Sequence, residues 1–142
     1  MTFYFKYKTI AHPDGTVSKF PLIPITLLGK EVIFTSGVVD SGSDTCAISR
    51  SMAEKLGLPL TGEKEVARGI GGMVESVQSQ SLISIQQGKQ RYQFNVPINV
   101  IMKPSDFPVL LGQIGFFDKF IIKFNKRKNK FSLKRVGRLF LR

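Results

Sequence analysis

Residues Val38-Val39-Asp40-Ser41-Gly42-Ser43-Asp44-Thr45 decide how the rest of the chain is read. Two β-branched residues lead into a carboxylate, and a small polar turn leads out. Such a run reads as a strand that stops in a tight turn, with Gly42 relieving the backbone. Asp40 then stands at the end of a rigid element, where a catalytic group is best held. An ordinary turn has the same ingredients, because Asp, Ser and Gly are common in turns. The flanking sequence has to separate the two readings.

Upstream, Val32-Ile33-Phe34 and Val38-Val39 form an apolar approach to Asp40, interrupted by Ser36-Gly37. Before it, Phe20 to Leu28 reads as a strand. Its Pro21 and Pro24 predict an edge or an irregular course, since proline cannot donate to a sheet ladder. Further upstream, Phe3, Phe5 and Tyr7 alternate with Tyr4, Lys6 and Lys8, the period of a strand. Ala11-His12-Pro13-Asp14-Gly15 is a turn. His12 is the only histidine and Cys46 the only cysteine. A zinc site is therefore not expected, and His12 in a turn suits a surface role. Cys46 has no credible histidine partner, so Cys46-Ala47-Ile48 reads as a buried strand with a small hydrophobic thiol.

Downstream, Ser49 or Ser51 caps a short helix through Leu56, with Ser51 and Glu54 at capping-box spacing. Gly57 ends it and Pro59 follows. Gly69-Ile70-Gly71-Gly72-Met73 lies between strand-like flanks and reads as a mobile hairpin tip. A phosphate loop is disfavoured, because the glycine spacing is wrong and no helical pattern follows. Two polar strands then run to Met102, turning at Gln87-Gly88-Lys89. Val109-Leu110-Leu111-Gly112 is a second apolar run ending in glycine, and Gln113 to Lys119 reads as a short helix. Ile121 to Phe124 and Lys130 to Leu133 are strands around a polar turn, and Val136 to Arg142 is a loosely ordered tail.

The composition bounds the class. A chain of 142 residues with 42% hydrophobic and 22% charged residues is one globular domain. No apolar run approaches the roughly 20 residues of a membrane-spanning helix. The N-terminus lacks the order of a signal peptide, so a cytoplasmic protein is expected. The net charge of +11 is unevenly placed. Residues 1–118 hold 11 Lys/Arg and 10 Asp/Glu, while residues 119–142 hold 10 Lys/Arg and no acid. Such an end suits nucleic acid, an acidic protein, an anionic surface or plain solvation. Lys126-Arg127-Lys128 with Phe124 and Phe131 fits basic-plus-aromatic nucleic-acid binding loosely. The hairpin-turn reading of the same residues is preferred.

Taken together, the order of parts is distinctive. A strand runs into Asp-Ser-Gly-Ser, a glycine-rich hairpin follows about thirty residues on, and Leu110-Leu111-Gly112 about forty after that. The series resembles the retroviral-type (retropepsin-like), single-domain aspartic proteases, from about Phe20 to Leu133. The resemblance implies an all-β, closed-barrel-like acid protease fold with one or two short helices, dimeric, in a single domain over residues 1–142. Residues 134–142 would be a basic extension of the core. It implies that Asp40 is the catalytic aspartate, that Ser41 steadies the active-site loops across a subunit interface, and that Gly42 lies close to substrate. It further implies that Leu110, Leu111 and Gly112 brace the catalytic loop. Asp44 would hold the substrate backbone, and Gly69, Ile70, Gly71, Gly72 and Met73 would form a flap over it. Ile48, Ile70, Met73 and Val109 are candidate pocket residues. Gln113 departs from the charged residue or Met found in many members. No cofactor or metal is expected.

The chemistry explains the expected dimer. Peptide hydrolysis by carboxylates needs two of them sharing a proton. This chain has one Asp-Ser-Gly. Asp14 and Asp106 lie in proline-adjacent turns, Asp118 lies in the expected short helix, and Asp44 is too near in sequence. A homodimer would supply the second Asp40. The expectation is an aspartic endopeptidase acting on extended polypeptides. Its alternatives are a catalytically silent dimerisation or peptide-binding module, and a nucleic-acid-binding protein acting through its basic C-terminus.

Overall fold

The computed structural model describes residues 1–69 and 72–137. Ile70, Gly71 and residues 138–142, most of the expected tail, lie outside the described residues. The strands are β1 (Thr2–Lys6), β2 (Lys8–Ala11), β3 (Val17–Phe20), β4 (Leu22–Leu28), β5 (Val32–Val39) and β6 (Cys46–Ser49). After helix α1 (Arg50–Leu56) come β7 (Lys64–Gly69), β8 (Gly72–Gln87), β9 (Gln90–Ile101), β10 (Val109–Leu111), β11 (Phe120–Asn125) and β12 (Lys130–Arg135).

A sheet in the order β4-β5-β10-β6-β9-β8-β7 contains a barrel. Thr26–Leu28 of β4 also pair with Leu82–Ser84 of β8, which closes six strands on themselves and leaves β7 outside. Closure removes the free edges that an open sheet exposes. The prolines therefore do not put β4 at an edge. Instead the pairing with β8 begins at Thr26, beyond Pro24, so no ladder bond to β8 is asked of the proline. β5 is likewise uninterrupted from Val32 to Val39. Gly37 is there because β10 runs parallel to β5, and a Cβ at Gly37 would come within 2.6 Å of Leu111 Cδ1.

Ile23, Ile25, Leu27, Val39, Ile83, Ile85, Val96, Ile98 and Leu111 fill the barrel, and Phe94, Phe116 and Phe120 close one side of it. Helix α1 begins at Ser49, whose Oγ accepts from Met52 N at 3.3 Å. Glu54 pairs with Arg50 rather than completing a box with Ser51. Gly57, at φ 70°, supplies the left-handed residue that ends the helix. The expected helix over Gln113 to Lys119 is only a 3-10 turn at Phe117–Lys119. Gly115, at φ 94°, breaks the helical course before it.

The two ends of the chain meet in a second sheet, β1-β12-β11. Phe3, Phe131 and Leu133 bury its inner face. The outer edge of β1 is capped by side chains: Gln87 bonds both the N–H and the carbonyl of Tyr4, and Gln90 donates to Thr2 O. No helix among the described residues is long and apolar enough to cross a membrane.

Candidate active site

The site grows from the parallel pair β5 and β10. Leu111, the last residue of β10, is wholly buried, and its carbonyl accepts from Asp40 N at 3.0 Å. That bond fixes the backbone of Asp40 one residue beyond the end of β5. The chain then turns tightly, with Ser43 N donating to Asp40 O at 3.2 Å. Gly42 N donates to Asp40 Oδ1 at 2.9 Å, so one carboxylate oxygen is held by the turn it opens. Asp40 is half-buried, while Ser41, Gly42 and Asp44 are exposed. Gly42 is not in the left-handed region, so it does not serve to relieve the backbone. Its missing side chain matters instead, because a Cβ there would lie 3.3 Å from Asp40 Oδ1. Glycine keeps the flank of the carboxylate open.

Gly112 is the other contact point. A Cβ at this position would stand 2.3 Å from Thr45 O and 2.6 Å from Ser43 O. Both are backbone atoms of the loop after Asp40. Around this close approach, Gln113 N donates to Ser43 O and Ile114 N to Asp44 O, each at 2.8 Å. Gly112 N points to Cys46 Sγ at 3.4 Å. Burial pushes the Cys46 thiol above its ordinary range; the Gly112 N–H opposes this, and the carboxylate of Asp118 adds to it. Cys46 is thus a neutral, buried packing group. Leu111 and Gly112 thus touch Asp40 and the loop after it, while Leu110 pairs with Val38 and Ala47.

Sequence reasoning missed two supports. The Gln113 side chain donates from Nε2 to Ser41 O at 2.8 Å, clamping the exposed turn beside Asp40. Asn99 Nδ2 donates to Thr45 Oγ1 at 3.0 Å, tying the far end of the loop to β9. The departure at Gln113 is a visible signal, whereas Asn99 is one polar residue within Val96-Pro97-Ile98-Asn99-Val100-Ile101 and reads as an ordinary outward strand position. Two expected pocket residues are displaced. Ile48 and Val109 are fully buried core residues, because their places on β6 and β10 turn them inward. Met73 is 67% exposed on β8. Ile70 and Gly71 fall outside the described residues; the register pairs Gly69 with Gly72.

A groove of about 730 Å³ lies between the root of the β7–β8 hairpin, β9 and the end of the loop after Asp40. Thr45, Gln78, Asn99 and Ile114 line it. Its charged lining residues are Glu63 and Glu65, opposite in sign to the chain as a whole. Asp44 stays exposed in the same loop, while Asp14, Asp106 and Asp118 are occupied or lie elsewhere in the fold. Asp14 Oδ1 accepts from Thr16, which holds that carboxyl below its ordinary range. Asp118 Oδ2 accepts from Gly115 N, and Asp106 lines a separate groove with Lys55 and Phe107.

A six-stranded barrel that ends one strand in a braced Asp-Ser-Gly turn defines the acid protease class. A family model described as aspartyl protease matches residues 23–113, and the chain belongs to that family. Among solved structures, a retropepsin-like aspartic protease from Rickettsia conorii is similar over 94% of this chain and 93% of its own. Its identity is 19% and the TM-score 0.53. The retroviral protease-like domain of Ddi1 from Leishmania major is similar over 83% of this chain and 94% of its own, at 13% identity and TM-score 0.52. At such identities the likeness shows the fold, which is retropepsin-like. No curated protein matches the chain by sequence.

Proposed function

We propose that the protein is an aspartic endopeptidase whose active site is completed by a second copy of the chain. The observation that carries this reading is the state of Asp40. Its backbone is held by Leu111 O and one carboxylate oxygen by Gly42 N, yet the side chain is only half-buried. That is a fixed and accessible carboxylate, the form a general acid/base requires. Two such carboxylates facing each other share one proton. One takes a proton from water while the other protonates the scissile carbonyl oxygen. The aspartyl protease family supplies the reaction class, peptide hydrolysis.

In this reading Ser41 and Gly42 stand where two copies would meet. The β7–β8 hairpin serves as the flap, excluding water over an extended peptide. Gly69, Gly72 and Met73 belong to its end, the expected Ile70 and Gly71 lie outside the described residues, and Asp44 meets the substrate backbone. The groove at Thr45 takes a flanking segment of that peptide, which binds as an added strand. A shared proton gives a bell-shaped pH profile.

The test is Asp40→Asn, with sedimentation to confirm folding and assembly. Peptide cleavage is expected to fall by at least about a thousandfold, as when a residue of a catalytic unit is removed. A folded dimer of the variant that cleaves as fast as the parent sinks the assignment. An inhibitor that presents a hydroxyl in place of the scissile carbonyl should bind the parent and not the variant.

A further inference from the structure

The β1-β12-β11 sheet has two unlike faces. Its register places Tyr4 beside Ser132 and Lys123, Lys6 beside Lys130 and Asn125, and Thr2 beside Lys134 and Ile121. These residues alternate with buried Phe3, Phe131 and Leu133, so they share the outward face. Lys6, Lys123, Lys130 and Lys134 are all exposed, and Tyr4 at 68% exposure stands among them. No Asp or Glu occurs on any of the three strands. The ion pairs among the described residues, Arg50–Glu54 and Lys64–Glu75, lie elsewhere. These four charges are uncompensated on a surface that does not belong to the barrel.

We infer that this face binds single-stranded nucleic acid, the phosphates on its lysines and a base stacked on Tyr4. Neighbouring strands lie about 4.8 Å apart and alternate residues along a strand about 7 Å. The lysines therefore form a flat grid on the scale of a phosphate backbone, around one aromatic ring. Stacking on an aromatic side chain beside basic residues is how single strands are held without sequence preference. Thr2, Ser132 and Asn125 add hydrogen-bonding groups suited to phosphate and sugar. An anionic membrane would favour a protruding apolar wedge. This face has a single aliphatic residue, Ile121, at its β11 margin. The backbone of Tyr4 is held by Gln87, so the ring is presented from a fixed strand.

The aromatic partners expected from sequence are not the ones used. Phe131 is buried, and Phe124 packs against it at 6.1 Å. Lys126, Arg127 and Lys128 form the turn beyond the strands, at the edge of the same surface.

The experiment is fluorescence anisotropy of a labelled oligothymidylate with the full chain, titrated over salt. Binding is expected with a log–log salt slope of about −3, as four phosphate contacts on a single strand give. Tyr4→Ala should weaken it by about 5- to 100-fold. Lys123→Glu with Lys134→Glu should abolish it, while Lys103→Glu, in the loop after β9, should leave it unchanged. All four positions are exposed, and circular dichroism checks that the variants fold. Absence of binding at 50 mM salt overturns the proposal. So does equal loss from Lys103→Glu, or full binding by Tyr4→Ala. Vesicles of phosphatidylcholine with phosphatidylserine form the second arm. Retention on vesicles without oligonucleotide binding also overturns it, in favour of a membrane surface.

Discussion

Two glycine-bearing stretches frame the proposed site and behave in opposite ways. Gly112 sits directly against the loop after Asp40, and a single added carbon would collide with two of that loop's carbonyl oxygens. Gly72 opens the β8 side of the β7–β8 hairpin, and a Cβ there meets nothing within 4 Å. The first glycine is required by packing, the second by backbone conformation, since its φ is 124°. In the proposed enzyme the difference separates a floor that must not move from a hairpin that would serve as its cover. A carboxylate held to a fraction of an ångström needs the first. Admission of an extended polypeptide needs the second.

The floor breaks most severely at Gly112→Ala. The colliding atoms are backbone, tied by Gln113 N to Ser43 O and by the Thr45–Ile114 bridge, so neither can yield alone. A loss of about 3 kcal/mol or more is expected, at the upper end of overpacking. Urea unfolding followed by circular dichroism measures it, with a midpoint temperature lower by roughly 10 °C. A variant as stable as the parent would show that the loop relaxes, and the contrast with Gly72 would fail.

The same contrast explains what the sequence made legible. Asp40 at a strand end, Leu110-Leu111-Gly112 as its brace and the hairpin around Gly69 and Gly72 are local patterns, each marked by turn residues and alternation. Long-range pairings were not marked. Nothing in Thr26–Leu28 announces a bond to Leu82–Ser84, so the prolines of β4 suggested an edge where the barrel closes. Nothing in Thr2–Lys6 announces pairing with Lys130–Lys134, which with β11 places four scattered lysines on one face. Ile48 and Val109, candidate pocket residues from the sequence, are buried in the core. Alternation in β10 turns Val109 and Leu111 inward and leaves Leu110 on the other side. Which face points to the core is a property of the closed barrel, not of three residues.

Gln113→Ala probes the floor more gently. It removes the 2.8 Å bond to Ser41 O and leaves the backbone bond from Gln113 N to Ser43 O in place. The residue is exposed, so stability should fall by about 1 kcal/mol or less. If Asp40 is the catalytic group, kcat should fall by about tenfold with KM little changed, because the turn beside the carboxylate loses its clamp. Gln113→Glu would place a carboxylate against the Ser41 carbonyl and should be worse than alanine. Unchanged turnover in both variants would reduce Gln113 to a surface residue and confine the brace to Leu111 and Gly112.

The cover should respond least to the same chemical change. Gly72→Ala introduces strain of about 1 kcal/mol, because alanine rarely adopts φ 124°. The strain has somewhere to go. β7 lies outside the closed barrel, and Val66 and Met73 of the hairpin are both largely exposed. Opening the hairpin therefore relieves it without disturbing the core, as local unfolding does in weakly packed elements. The midpoint temperature should shift by no more than about 2 °C. Amide exchange at Arg68 and Met73, which pair across the hairpin, should rise several-fold while that of Leu111 stays fixed. A fall in stability close to that of Gly112→Ala would mean that the hairpin tip is packed into the fold. Floor and cover would then be one rigid unit, and the proposed opening for a peptide would have to lie elsewhere.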